Sequence, residues 1–130
     1  MASIFSRIIA GELPAHRVYE DDQCIAFLDI HPLVQGHTLV VPKHEVDYLF
    51  DVEDVLLAHL LPVCKKVGKA IEQVVSCERI GVSVIGLEVP HAHIHLIPIN
   101  GLYDMDFTRP KLSLSNEELA SIATRIREAM

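Results

Sequence analysis

The sequence lacks the features that mark a membrane protein or a nucleic-acid-binding protein. No segment reaches the length of a membrane-spanning helix, about 20 consecutive apolar residues. Lys and Arg total 11 against 18 Asp and Glu, which gives a formal net charge of −7. Broad binding to nucleic acid or to an anionic membrane needs clustered basic residues, so we expect neither partner. An anionic small molecule would have to be held by local hydrogen-bond donors.

Cysteine motifs and glycine-rich loops are also scarce. The three cysteines are an odd number without Cys-x-x-Cys spacing, which argues against a disulfide framework and against a zinc knuckle. No glycine-rich phosphate-binding loop of either standard type occurs. The N-terminal residues show no long apolar stretch of a signal peptide, and we therefore expect a cytoplasmic protein.

The apolar residues that are present predict an α+β protein. Half of the 130 residues are hydrophobic, which is enough for one domain with a buried core. Short connections between consecutive strands favour an antiparallel sheet of about five strands, with a long helix packed on it and a C-terminal helix. Pro62 predicts a kink in the long helix, or a separate short first segment. The predicted helices cover residues 3–10, 53–75 and 115–129, and the predicted strands cover residues 16–20, 23–29, 38–41, 80–85 and 92–99.

Three histidines alternate with apolar residues in the segment 89–98. His91, His93 and His95 stand two residues apart, a pattern that predicts a strand with imidazoles on one face and aliphatic side chains on the other. At about 3.3 Å per residue, neighbouring histidines would lie about 6.6 Å apart along the strand and the outer two about 13 Å apart. Such a row can present a nucleophile, a proton donor and a phosphate ligand side by side.

Two other interpretations of this row stay open. The imidazoles can be structural residues, provided that each is solvated or hydrogen-bonded. Two of them can also share a zinc ion completed by Glu88, His37 or His44, although ligands about 13 Å apart converge poorly on one ion at about 2.0–2.1 Å. The pattern favours nucleophilic phosphorus chemistry without a bound metal.

The segment 91–97 resembles the signature of the histidine-triad (HIT) family, in which the alternating histidines are followed by two more apolar residues. The segments 4–14, 27–32 and 36–43 resemble the family's opening, its nucleoside-binding loop and the strand that carries its fourth histidine. The resemblance is to the small, Hint-like branch and covers about residues 4–99. It implies a HIT-like fold and a single HIT domain over residues 1–130, of which residues 100–130 are a C-terminal extension ending in a helix.

The resemblance also implies catalytic roles. An AMP-type purine nucleotide would bind with its α-phosphate over the triad, and His93 would attack phosphorus to form a nucleotidyl-histidine that water hydrolyses. The other ring nitrogen of His93 should donate to a backbone carbonyl, which fixes the tautomer. His95 would donate a proton to a phosphoryl or leaving-group oxygen, and His91 would link to His37 in a relay that supports the nucleophile.

Three further residues are implied in substrate binding. Asp29 would hydrogen-bond the ribose hydroxyls, and Ile30 would pack against the base. Many family members carry a glutamine and a hydroxyl before the triad, where this chain has Leu87 and Glu88. Glu88 would repel a phosphate unless it is paired or turned away, or it would bind the cationic end of a leaving group.

These expectations describe a nucleotide hydrolase or nucleotidyl transferase that cleaves AMP-linked substrates, most plausibly phosphoramidates. A dinucleoside polyphosphate hydrolase and a nucleotide-binding interaction protein with weak turnover stay open as alternatives. We expect no cofactor. Ser3 and Ser6 stand where zinc-containing bacterial relatives have cysteine, so we expect no structural zinc either.

The resemblance further implies a homodimer, in which the sheets of two subunits join and the long helix and a sheet-edge strand lie at a two-fold interface. The outer strand 80–85 carries no lysine or proline to block pairing with another strand, and an isologous two-fold contact is the commonest way to cover such an edge. Alternatively, the C-terminal helix 115–129 covers that edge and leaves the chain monomeric. The long helix adds an apolar stripe that exceeds what one sheet face needs, formed by Leu56, Leu60, Val63, Val67 and Ile71.

Overall fold

The computed structural model describes residues 2–130, which form five strands and three α-helices. The five strands lie in the order β1-β2-β3-β5-β4, and each is antiparallel to its neighbours. This confirms the predicted α+β class. The helices are α1 (Ile4–Ile9), α2 (Asp54–Val74) and α3 (Asn116–Glu128), and the strands are β1 (Arg17–Glu20), β2 (Cys24–Leu28), β3 (Thr38–Pro42), β4 (Arg79–Ser83) and β5 (Ile94–Ile99).

The central strands β2, β3 and β5 are buried on both faces because most of their residues are apolar. Cys24, Ala26 and Leu28 of β2 pack in the cluster formed with α2 and α3, whereas Ile25 and Phe27 pack in the cluster that includes α1. Side chains of a strand alternate between the two faces. Strand β5 follows the same rule, since Ile94 and Leu96 join the α2 cluster. His95 therefore lies on the face that α1 covers.

The long helix is continuous through its proline. Helix α2 runs from Asp54 to Val74 with Pro62 inside it, so the alternative of a separate first segment is wrong. Proline removes one backbone donor, which would have bonded the carbonyl of Ala58. Both residues are exposed, and water can satisfy that carbonyl. The predicted stripe is buried at Leu60, Val63, Val67 and Ile71 and half-buried at Leu56.

The last two strands are shorter than the prediction of 80–85 and 92–99. Strand β4 ends at Ser83 and β5 begins at Ile94. Gly86 has a positive φ of 74°, and the N–H of His91 turns back to the carbonyl of Val89 at 2.8 Å. A loop therefore carries the first two histidines of the triad.

Helix α3 lies at the β1 end of the sheet, where it contacts α2, β1 and β2. A capping box begins this helix: the Ser115 hydroxyl accepts from the N–H of Glu118, and the Glu118 carboxylate accepts from the N–H of Ser115. The alternative in which this helix covers the outer strand is therefore wrong. Among residues 2–130, no strand pairs with the outer edge of β4.

None of the helices formed by residues 2–130 has both the length and the hydropathy needed to span a bilayer.

Candidate active site

The triad bridges a loop and a strand, so the straight row that the alternation predicts is wrong. Only His95 lies in β5. The backbone N–H of Ala92 donates to the carbonyl of Val46 at 2.7 Å, which holds the preceding loop against a different part of the chain. As a result the rings of His93 and His95 converge, with centroids 4.9 Å apart at an angle of 63°.

The ring of His93 has the tautomer that a nucleophile needs. Its Nδ1 lies 2.7 Å from the carbonyl oxygen of His91. A carbonyl only accepts, so Nδ1 carries the proton and Nε2 keeps its lone pair. This is the backbone contact that the sequence analysis predicts. The edge of Phe5 packs against the same ring, with centroids 4.9 Å apart.

His37 and His95 form a hydrogen-bonded pair whose direction the backbone determines. The N–H of Leu33 donates to Nδ1 of His37 at 3.0 Å, so the neutral His37 ring is protonated on Nε2. That Nε2 lies 2.9 Å from Nδ1 of His95 and donates to it. The proton of the neutral His95 ring is therefore on Nε2, where it is available as a donor.

Burial keeps this pair neutral. It lowers the pKa of His37 to about 3 and that of His95 to about 4. The neighbouring imidazoles contribute in the same direction, because a proton on one ring disfavours a proton on the next. Both rings are neutral near pH 7, in agreement with the chain of donors and acceptors.

We expect the free energy of unfolding to fall as the pH is lowered from about 6.5 towards 4. In that range the unfolded chain protonates both histidines, whereas the folded chain keeps them neutral down to about 4 for His95 and about 3 for His37. Above about pH 6.5 neither state takes up these protons, so this contribution disappears. At pH 5 each of the two rings should lower the free energy of unfolding by roughly 2 kcal/mol relative to pH 7.

Denaturant unfolding at pH 7 and pH 5 measures this effect. The difference between the two pH values should be smaller in His37→Gln than in the wild type by roughly 2 kcal/mol. The matched variant His44→Gln changes an exposed histidine and should leave the difference as it is. An equal pH dependence in wild type and His37→Gln would contradict the neutral buried pair.

His91 is fully buried, and both of its ring nitrogens are hydrogen-bonded to protein groups. Its Nε2–H donates to the carbonyl of Pro42 at 2.8 Å, which leaves Nδ1 to accept from the Ser3 hydroxyl at 2.7 Å. The predicted relay between His91 and His37 is therefore wrong, because His37 donates to His95. His91 instead acts on His93 through its own carbonyl.

The N-terminal helix is tied to His91 by a cluster of polar side chains. The Ser3 hydroxyl accepts from the N–H of Ser6 at 3.0 Å and thereby caps α1. The Glu45 carboxylate accepts from the N–H of Ser3 and from the Ser6 hydroxyl, at 2.7 and 2.6 Å. These two bonds lower the pKa of Glu45 to about 2. The Ser3 hydroxyl thus orients His91, and Ser6 and Glu45 hold Ser3 in place.

Asp29 and Ile30 lie beside the His37–His95 pair in the loop after β2. One Asp29 carboxylate oxygen accepts from the N–H of His31 at 2.9 Å, and the other lies 3.7 Å from Nε2 of His37. Burial raises the pKa of the Asp29 carboxyl. The Ile30 side chain is 55% exposed, which leaves an apolar surface beside a carboxylate.

A cavity of about 470 Å³ opens beside His93, and neither Asp29 nor the His37–His95 pair lines it. Apolar side chains predominate in its lining, and Leu87 is 88% exposed there. Glu88 is exposed beside Leu87 but does not line this cavity. The lining includes Asp47, Tyr48, Phe50, Ile85, Leu87 and His93.

Two groups of side chains bring three potential metal ligands together, and both are arranged as hydrogen-bonded clusters. In the first, 2.9 Å separates the nitrogens of His37 and His95, whereas two nitrogens on one tetrahedral zinc would lie about 3.3 Å apart. In the second, the Asp21 carboxylate is bonded to the His59 ring at 2.7 Å and accepts from the N–H groups of Gln23 and Cys24. The groups are Asp29, His37 and His95, and Asp21, Cys24 and His59.

The structure also brings residues to the site that sequence reasoning missed. Phe107 packs edge-on against His95, with ring centroids 4.9 Å apart, and Phe5 packs against His93. Ser3 and Glu45 support His91. Tyr103, Met105 and Phe107 alternate with two aspartates, but this alternation does not indicate what the ring of Phe107 packs against.

Comparison with known proteins identifies relatives over nearly the whole chain. The family described as HIT domain matches residues 10–101. An uncharacterized HIT-like protein of Borreliella burgdorferi is 39% identical over 131 residues, covering 95% of this chain and 94% of that protein. An adenosine 5′-monophosphoramidase of Schizosaccharomyces pombe is 34% identical over 129 residues, covering 97% of this chain and 96% of that protein.

A solved structure has the same fold. It is a Hit-like protein from Bartonella henselae, described as involved in cell-cycle regulation and crystallised with an unknown ligand. The TM-score is 0.86 at 34% identity, and the match covers 98% of this chain and 96% of that one.

Proposed function

Because this chain belongs to the HIT family, we propose that it hydrolyses AMP-linked substrates, phosphoramidates above all, through a nucleotidyl group on His93. The observation that carries the proposal is the bond from Nδ1–H of His93 to the carbonyl of His91, which leaves Nε2 unprotonated. The relatives named adenosine 5′-monophosphoramidase support AMP as the nucleotide. The proposal takes residues 1–130 as a single HIT domain with residues 100–130 as an extension.

The reaction proceeds in two displacements at the α-phosphorus. Nε2 of His93 attacks phosphorus, the bond from phosphorus to the leaving nitrogen breaks, and that nitrogen takes the Nε2 proton of His95, which is left as an imidazolate beside the positively charged nucleotidyl-His93 ring. The positive charge of the nucleotidylated His93 ring lies beside His95 and favours this transfer. A water molecule then attacks phosphorus, its proton returns to Nε2 of His95, and AMP and neutral His93 are released.

The nucleoside would lie beside the loop after β2. The Asp29 oxygen that is not bonded to the His31 N–H would accept from the ribose hydroxyls, and the exposed Ile30 side chain would pack against the base. His91 would hold the loop of the nucleophile in place, and His37 would keep the proton of His95 on Nε2.

Asp29→Ala should weaken the binding of ribonucleotides by roughly ten- to a hundredfold. It should also reduce the preference of the enzyme for ribonucleotides over their 2′-deoxy analogues. A charge-assisted hydrogen bond of this kind contributes about 1.5–3 kcal/mol. Steady-state kinetics with the AMP and 2′-deoxy-AMP phosphoramidates measure the ratio, and Asp22→Ala, at an exposed turn position, serves as the control. An unchanged ribose preference in Asp29→Ala would rule out this role.

The leaving group would enter the cavity of about 470 Å³ that His93 lines. Its apolar lining and the nearby carboxylates of Asp47 and Glu88 disfavour a polyphosphate chain, because like charges repel. We therefore expect a higher kcat/KM for adenosine 5′-phosphoramidate than for diadenosine tetraphosphate. The opposite order would favour a dinucleoside polyphosphate hydrolase. If the protein cleaves neither substrate but binds AMP tightly, the nucleotide-binding interaction protein is favoured.

The proposal includes a homodimer formed along the outer edge of β4. Val82 is 55% exposed beside this edge, in a strand without a charged residue after Arg79. Sedimentation at low micromolar concentration should give twice the mass of one subunit, and Val82→Lys should reduce it to one. The control Leu102→Lys changes a residue that is 90% exposed outside the sheet and should stay dimeric. A wild-type mass of one subunit at every concentration would contradict the dimer.

A further inference from the structure

The segment between β5 and α3 crosses the face of the sheet that carries the triad. The N–H of Leu112 donates to the carbonyl of Pro32 at 2.8 Å, and the guanidinium group of Arg109 donates to the carbonyl of Leu33. Both acceptors belong to the loop between β2 and β3. The segment is thus attached to the loop whose Leu33 N–H sets the tautomer of His37.

The other end of the segment packs closely on the sheet. A side chain at Gly81 would place its Cβ 2.9 Å from Sδ of Met105 and 3.2 Å from Cδ1 of Ile99. Glycine at this position therefore allows Met105 to approach strand β4. The segment is held at Gly81 on one side and at Pro32 and Leu33 on the other, with Phe107 between them.

Phe107 is the side chain through which the segment meets the histidines. Its ring lies 4.9 Å from the ring of His95 at 73° and 6.2 Å from the ring of His37 at 81°. Both contacts have the edge-to-face geometry that aromatic rings prefer. The HIT domain match ends at residue 101, so this aromatic cover comes from outside the matched region.

We propose that Phe107 is a positioning residue of the triad, which excludes water from the His37–His95 hydrogen bond and holds Nε2–H of His95 towards the leaving group. The inference rests on the proposed function for the role of His95. It assigns the C-terminal segment to the active site. The ring of Phe107 carries no polar atom, so it acts only through the two histidines.

The charged and titratable groups around the pair come from three parts of the chain. They are His93 before β5, Asp29 in the loop after β2, the nearby His31, and Lys111 in the segment itself. The Asp29 carboxylate lies 3.7 Å from Nε2 of His37, and the Lys111 ammonium donates to the carbonyl of Phe107 at 2.6 Å. Removing the ring would admit water among these groups and make a proton on either histidine less costly.

The first test is an NMR titration of the His37 and His95 rings in the wild type, Phe107→Ala and Phe107→Leu. In the wild type both rings should stay neutral from pH 8 to pH 5. In Phe107→Ala at least one should protonate within this range, a rise of about one unit or more in its pKa, whereas Phe107→Leu should behave as the wild type does. Neutral rings throughout in Phe107→Ala would overturn the proposal.

The second test uses two AMP substrates that differ in their need for a proton. Phe107→Ala should lower kcat for a phosphoramidate by about ten- to a hundredfold, and it should spare an aryl ester of AMP with an electron-poor phenol. KM should change little. The control Leu102→Ala removes an exposed side chain of the same segment and should match the wild type. Equal losses for both substrates, or no loss, would overturn the proposal.

The two tests separate this inference from the proposed function. If the wild type cleaves neither substrate, the proposed function fails and the titration alone decides whether Phe107 shields the pair. If Phe107→Ala does not fold, Phe107→Thr, whose shorter and polar side chain leaves room for water, takes its place, and the same outcomes are expected of it.

Discussion

His93→Ala should reduce the release of AMP from a phosphoramidate by about three orders of magnitude or more, because it removes the group that forms the covalent intermediate. The fold should persist, since His93 lies in the loop before β5 and its ring makes no bond that closes the sheet. Some stability should be lost, because the ring is buried against Phe5 and His95. Initial rates of AMP release, with circular dichroism to verify folding, measure both effects.

His59→Ala is the matched control for that experiment. His59 lies on α2, on the opposite face of the sheet, where its ring bonds the Asp21 carboxylate at 2.7 Å. Its removal deletes an imidazole of the same size without touching the triad, so turnover should stay close to that of the wild type. If His93→Ala also retains near wild-type turnover of every nucleotide substrate, His93 is not the nucleophile.

His95→Ala should have the second-largest effect, and its size should depend on the leaving group. Loss of a positioned proton donor lowers the rate by about 10²–10⁴-fold when the leaving atom must be protonated. An amine leaving group needs this proton, whereas an electron-poor phenol leaves as its anion. We therefore expect a large loss with the phosphoramidate and a much smaller one with the aryl ester.

The comparison of kcat for these two substrates in His95→Ala provides the measurement. His37→Ala should show the same selectivity to a lesser degree, because it removes the partner that keeps the His95 proton on Nε2. Equal losses for both substrates in His95→Ala would assign that ring to phosphate binding rather than proton donation.

The sequence predicts the sheet well because its strands are short, apolar and separated by strong turn residues. Asp21 and Asp22 form the turn between β1 and β2, and Pro42 ends β3. These residues leave little freedom in where the first three strands lie. The capping residues Ser3 and Ser115 likewise mark the starts of α1 and α3. These features are local, so a single sequence contains them.

The triad illustrates where local patterns fail. Alternation over residues 91–95 is what a strand shows, yet the backbone of Ala92 bonds to Val46, a residue far away in the sequence. The partner of His37 is decided by the same kind of long-range packing, since β5 brings His95, which is 58 residues away, within reach. No periodicity in the chain encodes either contact.

Phe107 shows a second kind of failure. Its alternation with Tyr103 and Met105 is typical of a strand, whereas Leu102–Met105 form a short 3-10 helix. Its position follows from anchors at Pro32, Leu33 and Gly81, which only the assembled sheet brings together.

The covalent intermediate is the central claim, and trapping it is the most direct measurement. Wild-type protein mixed with adenosine 5′-phosphoramidate and quenched during turnover should carry one adenylyl group, located by peptide mass spectrometry on the segment that contains His93. His93→Ala should carry none, and His59→Ala should match the wild type. Rapid AMP release without any adenylylated protein, or an adenylyl group on a residue other than His93, would contradict the account.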